Sequence, residues 1–158
     1  ALLLVEARRD VTAVGSDTSR DALDTAVAKA HVNGIADRFS TEGSRWFDKM
    51  EGRFDIIVSN PPYSRSDVIP DLGPDVRYYD PRAALDGGPD GLDAYRDIAE
   101  GARGFLEPGG LIGLEIGYDQ KETVTAIFEN QGFALIDAVR DYGGNDRVLV
   151  LRMQHQEQ

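Results

Sequence analysis

The chain has no cysteine, only two histidines and a single tryptophan among its 158 residues, and its 17 basic side chains are outnumbered by 28 acidic ones. Without cysteine there is neither a disulfide framework nor a thiolate metal site. His31 and His155 stand far apart in sequence, so metal catalysis is not expected. The formal net charge of −11 argues against a free-standing nucleic-acid binder, because such binding rests on neutralising phosphates, although it leaves room for a local basic patch. The longest apolar stretches are strand-sized and no basic-then-apolar leader is visible, which reads as a soluble protein, most simply cytoplasmic. The length fits one domain with enough apolar residues for a two- or three-layer core.

What is there alternates between strand and helix patterns. Val11 to Gly15 reads as a strand ending at the capping cluster Ser16-Asp17-Thr18-Ser19. A helix follows, with Leu23, Ala26, Val27 and Ala30 at three- and four-residue spacing and Asn33-Gly34 as its stop. A weaker strand is expected around Arg38 to Thr41, then a loop from Gly43 to Phe47. Phe54 to Ser59 is the clearest strand, apolar enough to be covered on both faces. Residues 64–90 are rich in Pro, Asp and Gly, and the embedded Val68-Ile69, Leu72 and Tyr78-Tyr79 favour an ordered lid or wall. A second helix from Leu92 to Phe105 carries Leu92, Tyr95, Ile98, Ala99 and Ala102 on one face, and Pro108-Gly109-Gly110 turns the chain into a strand from Leu111 to Ile116. A third helix, about Gln120 to Glu129 with an apolar stripe of Val124, Ile127 and Phe128, precedes strand-like runs at Phe133 to Arg140 and Arg147 to Arg152. The short Asp141 to Asp146 connection permits a hairpin but no parallel crossover, so the sheet should be mostly parallel with an antiparallel pair at one edge.

The most informative stretch is Asn60-Pro61-Pro62-Tyr63, placed directly after the Phe54 to Ser59 strand, where open α/β sheets bind their ligands. Two prolines fix φ and remove two backbone donors, leaving carbonyls with little freedom to rearrange. Such a cluster suits a planar group carrying an NH2: Asn60 Oδ1 and the Pro61 carbonyl accept its two hydrogens and the Tyr63 ring covers its face. The same tetrapeptide also reads as an ordinary strand-to-loop turn.

With the later Asp80-Pro81-Arg82-Ala83-Ala84-Leu85-Asp86-Gly87-Gly88-Pro89-Asp90-Gly91-Leu92-Asp93, the pattern resembles the HemK/PrmC family of release-factor glutamine methyltransferases, within the class I S-adenosylmethionine-dependent methyltransferases. The Asp-Pro-Arg and Asp-Gly-Gly details are closer to this branch than to the ribosomal-protein glutamine methyltransferases. The resemblance runs from about Ala1 to Met153, so residues 1–153 are expected to form a partial methyltransferase domain and 154–158 a polar tail. It implies an α/β, Rossmann-like three-layer sandwich. It also implies that the first strand, the glycine-rich cofactor turn and the helical recruiting domain are missing, with the apolar run Ala1 to Glu6 as the remainder of the helix after that turn.

The activity implied is transfer of a methyl group from S-adenosylmethionine, with S-adenosylhomocysteine as product, to the side-chain amide of the glutamine in a release factor's Gly-Gly-Gln motif. By the same resemblance Asn60, Pro61 and Tyr63 are the catalytic residues and, with Pro62, hold the substrate, while Asp17, Trp46 and Asn60 contact the cofactor, Asp17 at the ribose hydroxyls and Trp46 at the adenine face. Each has a plainer alternative: Asp17 as a helix cap, Trp46 as core packing, Asn60 capping a turn with its own side chain. Arg45 departs from the family, which has an acidic residue there, and arginine has no acceptor for the adenine amine. The glycines of Asp86 to Gly91 are expected chiefly to supply positive φ for turns, and Tyr78, Tyr79 and Arg82 to wall the substrate groove or pin the loop. His31 and the charges Asp93, Arg96, Glu122 and Glu129 read as solvated helix faces. Methylation of adenine's exocyclic amine is an alternative reaction, since DNA amine methyltransferases share the loop, although the acidic balance opposes it. A folded, inactive interaction module is the alternative outside enzymes.

Overall fold

A computed structural model describes residues 2–71 and 82–154. Its chain divides into two compact units, Ala1–Gly52 and Arg53–Gln158.

The first unit is built from α1 (Leu2–Ala7), β1 (Ala13–Asp17), α2 (Arg20–Val32) and β2 (Phe39–Gly43). The strands pair in parallel, Ala13 opposite Phe39 and Asp17 opposite Gly43, so both C-terminal ends lie on one side. Val5, Ala30 and Ile35 form its buried centre, with Val11, Ala13 and Phe39 packed on them. β1 starts two residues later than the apolar pattern suggests. The reason lies in Arg38, whose Nη1 donates to the carbonyls of Val5, Arg8 and Val11 at 2.7, 2.7 and 3.2 Å. Val11 is thereby held in the connection, and the ladder begins where the Ala13 N–H donates to the Arg38 carbonyl. Ser19 caps α2 by accepting from the Ala22 N–H at 3.3 Å, Asn33 closes it, and Gly34 takes the left-handed φ of 67°. His31 is exposed on this helix, as expected.

The second unit contains β3 (Phe54–Ser59), α3 (Arg82–Leu85), α4 (Asp93–Ala102), β4 (Leu106–Glu115), α5 (Lys121–Glu129), β5 (Phe133–Arg140) and β6 (Asp146–Met153), with single 3-10 turns at Ile69–Asp71 and Arg103–Phe105. The sheet order is β3-β4-β6-β5, parallel between β3 and β4 and antiparallel across β4-β6-β5. The expected edge hairpin is therefore present. The apolar stripe of α4 is buried at Tyr95, Ile98, Ala99 and Ala102, and that of α5 at Val124 and Phe128, where the Phe128 and Phe133 rings meet edge to face at 5.5 Å.

Two strand expectations need correction. Pro108-Gly109-Gly110 does not precede β4 but lies within it, as a bulge: Phe54 pairs with Leu106 while Ile56 pairs with Leu111. Gly109 takes φ 74°, and a Cβ on Gly110 would lie 2.8 Å from the Glu107 carbonyl, so the bulge needs both glycines. β3 is not covered on both faces either: Ile56 and Val58, two residues apart on one face of this edge strand, are about half exposed. Of the loop from 64 to 90, the parts on either side of 72–81 are described, whereas Leu72, Tyr78 and Tyr79 lie outside the described residues, as does His155. Among the described residues no helix is long and apolar enough to cross a membrane.

Candidate active site

The transfer-site candidates follow β3 directly. Asn60 is exposed, Pro61 is buried, and Pro62 and Tyr63 are half-buried. Among the described residues the Asn60 carboxamide has no hydrogen-bond partner, so it does not cap its own turn, and both its oxygen and its amide face outward unused. Tyr63 is held at both ends. Its hydroxyl donates to Glu115 Oε1 at 3.3 Å, at the end of β4, and its carbonyl accepts from Gln120 Nε2 at 3.2 Å. Burial, followed by the Glu115 charge, pushes the Tyr63 phenol pKa up, so the ring stays a neutral donor. Glu115 is steadied in turn: its backbone carbonyl accepts from the hydroxyl of fully buried Tyr95 at 2.7 Å. Arg147, paired with Asp141 at 3.1 Å, donates to the neighbouring Ile116 carbonyl at 3.3 Å.

The glycine-rich run packs directly against this loop. The Ser64 N–H donates to the Leu85 carbonyl, the Gly87 N–H to the Ser64 carbonyl and the Ser66 N–H to the Gly88 carbonyl, at 3.0, 2.8 and 3.0 Å. Asp86 Oδ1 accepts from the Ser66 hydroxyl at 2.6 Å and from the Gly88 N–H at 3.0 Å. Gly88 and Gly91 do take positive φ, 90° and 76°, as the turn reading expects. Gly87 is different: a Cβ there would lie 2.8 Å from the Pro62 carbonyl and 2.9 Å from Tyr63 Cα. Its hydrogen is required by close approach, not by φ; at Gly91 both apply, since a Cβ there would also come within 2.5 Å of the Tyr63 carbonyl oxygen. This contact explains in physical terms why the two distant sequence patterns occur together. The Asp93–Arg96 pair lies on a half-exposed helix face, as expected.

The cofactor-site candidates sit in the first unit, at the C-terminal ends of β1 and β2. Asp17 is exposed and its Oδ1 accepts from the Ser19 N–H at 2.7 Å, so it shapes the turn while Ser19, not Asp17, caps α2. The second carboxylate oxygen has no partner among the described residues and faces outward as an acceptor. Trp46 is half-buried, not a core residue, and has φ 47°, the one left-handed non-glycine among the described residues. Buried Ser44 supports its turn, with Oγ accepting from the Lys49 N–H at 3.0 Å. Arg45 is exposed beside it. An outward carboxylate oxygen able to accept from a hydroxyl and a half-buried aromatic ring are thus both present, which fits the cofactor implied by the resemblance. Among the described residues no group of three or more histidine, cysteine, aspartate or glutamate side chains is placed to hold a metal ion.

Residue-pattern reasoning alone did not single out Glu115, Gln120, Tyr95 or Arg147. Two signals were available: a carboxylate at the end of the otherwise apolar strand Leu111 to Ile116, and a glutamine at a helix start where Ser, Thr, Asp or Asn is preferred.

No family model matches the chain. Among curated proteins it is 56% identical over 151 residues to the release factor glutamine methyltransferase of Agrobacterium fabrum, covering 96% of this chain and 52% of that one. The corresponding enzymes of Cereibacter sphaeroides and Clostridium acetobutylicum are 40% and 41% identical over 97% and 94% of this chain, and over 55% and 53% of their own lengths. The chain belongs to the release factor glutamine methyltransferase family, as the resemblance implied. The chain spans about half the length of these relatives. Its fold is similar to those of a methyltransferase from Pyrococcus furiosus (TM-score 0.71, 18% identity) and a ribosomal protein L11 methylase from Lactobacillus delbrueckii (0.69, 16%), over 97% of this chain and 68% and 65% of those. An RNA methyltransferase from Salinibacter ruber, solved with S-adenosyl-L-homocysteine, matches with TM-score 0.60 at 13% identity over 99% of this chain and 74% of its own. The fold is the Rossmann-like α/β fold of class I methyltransferases, as expected.

Proposed function

We propose that this chain carries the methyl-transfer machinery of a protein-glutamine N-methyltransferase acting on the Gly-Gly-Gln glutamine of peptide-chain release factors. The observation that carries the reading is the outward-facing, unpartnered Asn60 carboxamide on a loop fixed by Pro61, Pro62 and the two-ended hold on Tyr63. The identity to release factor glutamine methyltransferases supports the choice of acceptor.

An amide nitrogen is a poor nucleophile because its lone pair is delocalised into the carbonyl. S-adenosylmethionine supplies an electrophilic methyl on a sulfonium and leaves as S-adenosylhomocysteine. Asn60 Oδ1 and the Pro61 carbonyl accept the two amide hydrogens of the substrate, which favours the positive charge developing on its nitrogen and aims the lone pair. The Tyr63 ring covers the amide plane, and its neutral phenol stays tied to Glu115. No base acts before transfer; the surplus proton leaves the nitrogen afterwards, to solvent. The prolines hold the acceptor carbonyls in place, so little reorganisation accompanies charge development. Asp17 and Trp46 are the residues that would hold this cofactor, the carboxylate accepting from ribose hydroxyls and the ring lying against the adenine. The formal charge of −11 disfavours a nucleic-acid substrate.

The test is incubation of the protein with methyl-labelled S-adenosylmethionine and, in separate arms, a Gly-Gly-Gln release-factor domain or duplex DNA. Label on the glutamine supports the reading; label in adenine overturns it. Calorimetric titration with S-adenosylhomocysteine addresses the inactive-module alternative, which one-site binding sinks.

A further inference from the structure

We propose that Gln120 is a positioning residue of the transfer site, one that fixes the Asn60–Tyr63 loop by joining three backbone groups through a single carboxamide. The inference rests on the proposed reaction for its kinetic readout alone.

Gln120 is one of two buried polar residues among those described, at 7% exposure. Its Nε2 donates to the Tyr63 carbonyl at 3.2 Å and to the Gly91 carbonyl at 3.1 Å, while its Oε1 accepts from the Gly117 N–H at 2.8 Å. Both amide hydrogens are used. The opposite flip would set an NH2 against the Gly117 N–H and an oxygen against two carbonyls, so the orientation is dictated by the backbone around it. Three segments meet here: the loop after β3, the glycine-rich run before α4 and the turn after β4. Two of them are bare where the carboxamide enters. A Cβ on Gly117 would lie 3.0 Å from Oε1, and one on Gly91 would lie 3.1 Å from Nε2.

Gln120 also serves the entry to α5: its N–H donates to the Gly117 carbonyl at 3.0 Å while its Oε1 accepts from the Gly117 N–H at 2.8 Å, the reciprocal pattern of a capping box. Its own backbone is in the αR region, at φ −105° and ψ 0°, and its side chain makes no bond to the first-turn amides. The Nε2 donors are what the helix entry leaves over, and both go to carbonyls outside the helix, those of Tyr63 and Gly91. One carboxamide thus ties the helix entry to the loop. The consequence concerns the acceptors. At one end the loop leaves the β3 ladder at Ser59, paired with Leu114, and at the other it is held at the Tyr63 carbonyl. With φ locked at Pro61 and Pro62, few torsions remain between those anchors, so the Pro61 carbonyl and the Asn60 side chain keep their places. Gly117 also lets the Tyr63 ring approach, its Cβ position lying 3.4 Å from Cδ2.

The variants Gln120→Leu and Gln120→Glu test the assignment. Leucine removes both donors. An ionised glutamate is acceptor-only and faces two carbonyls, but once protonated it regains one donor and keeps the acceptor for Gly117. With saturating substrates Gln120→Leu lowers turnover by about tenfold to a hundredfold, the scale of a misplaced reacting group. Its ratio to the unsubstituted protein stays level with pH, and the dissociation constant for S-adenosylhomocysteine stays within about twofold, well short of the rate loss that misplacement causes. Gln120→Glu recovers toward acidic pH and declines as pH rises, which a merely structural defect shared by both variants does not produce. A second readout needs no activity: hydrogen exchange at the Ser64, Ser66 and Gly87 amides accelerates in Gln120→Leu while the β5–β6 ladder keeps its protection. Unchanged exchange at those amides overturns the proposal, as do turnover equal to that of the unsubstituted protein or the same pH response in both variants. If the unsubstituted protein leaves the Gly-Gly-Gln domain unmethylated, the functional reading fails, and the exchange pattern alone decides whether Gln120 holds the loop.

Discussion

Gly91 lies so close to Tyr63 that a Cβ on the glycine would come within 2.5 Å of the tyrosine carbonyl oxygen. Gly87 makes the same kind of approach to Pro62, at 2.8 Å, without any positive φ. Gly87→Ala is therefore expected to destabilise the protein by about 1–3 kcal/mol, the usual cost of overpacking, and Gly91→Ala, at φ 76°, by that plus about 1 kcal/mol of left-handed strain. Gly144→Ala is the control. It has φ 81° but nothing within 4 Å, so it carries only the left-handed strain, about 1 kcal/mol. Denaturant midpoints for the three variants check this, and a Gly87→Ala no worse than Gly144→Ala would falsify the close-approach argument.

Asn60→Ala removes one of the two proposed acceptors without touching any hydrogen bond among the described residues. Its expected signature is a fall in methyl transfer of about a hundredfold or more, the scale found when a preorganised polar group is lost from an active site. Thermal stability should stay within about 0.5 kcal/mol, as for a substitution away from packing. Single-turnover assays beside melting curves separate the two effects; a large loss of stability would mean that Asn60 has a structural task not visible in its contacts.

Tyr63 and Tyr95 are both phenols whose pKa is raised, chiefly by burial and secondarily by neighbouring charge. A raised pKa in the folded state means that the neutral form is favoured there. The associated stability is fully present below the ordinary phenol value of about 10 and is lost as pH rises through the folded value. Tyr63→Phe and Tyr95→Phe should each remove a late-titrating phenol from the alkaline absorbance titration and flatten the alkaline decline in stability. At neutral pH Tyr63→Phe should cost about 1 kcal/mol for the lost bond to Glu115. An alkaline limb identical to that of the unsubstituted protein in both variants would show that neither phenol is held neutral by the fold.

Most elements were legible from the sequence because their apolar periodicity is local: the stripe Tyr95, Ile98, Ala99 and Ala102 and the hairpin strands need no distant partner to be read. The start of β1 was not, since a single arginine from the far side of α2 holds Val11 out of the ladder. Nor was the bulge at Pro108 to Gly110, which depends on how β3 registers against β4. The candidate site shows the same division. Asn60-Pro61-Pro62-Tyr63 announces itself by its own chemistry, whereas Glu115 and Gln120 matter because folding brings them to Tyr63 from 52 and 57 residues away. Sequence spacing carries no trace of such contacts.

The β5–β6 turn offers a test at acid pH. Asp141 accepts from the Asn145 N–H at 3.0 Å and from Arg147 at 3.1 Å, and these donors, the backbone one first, hold its carboxyl below the usual range. A depressed folded pKa contributes stability above the unfolded value of about 3.9, lost as pH falls through the folded one. Asp141→Asn should therefore be less stable than the unsubstituted protein at pH 7, with the gap closing below about pH 4 as Asp141 itself becomes protonated. Urea midpoints measured for both proteins from neutral to strongly acid pH provide the comparison. A gap that stays constant down to the most acid point would trace the loss to the altered turn geometry of Asp141 to Asn145 and not to the charge.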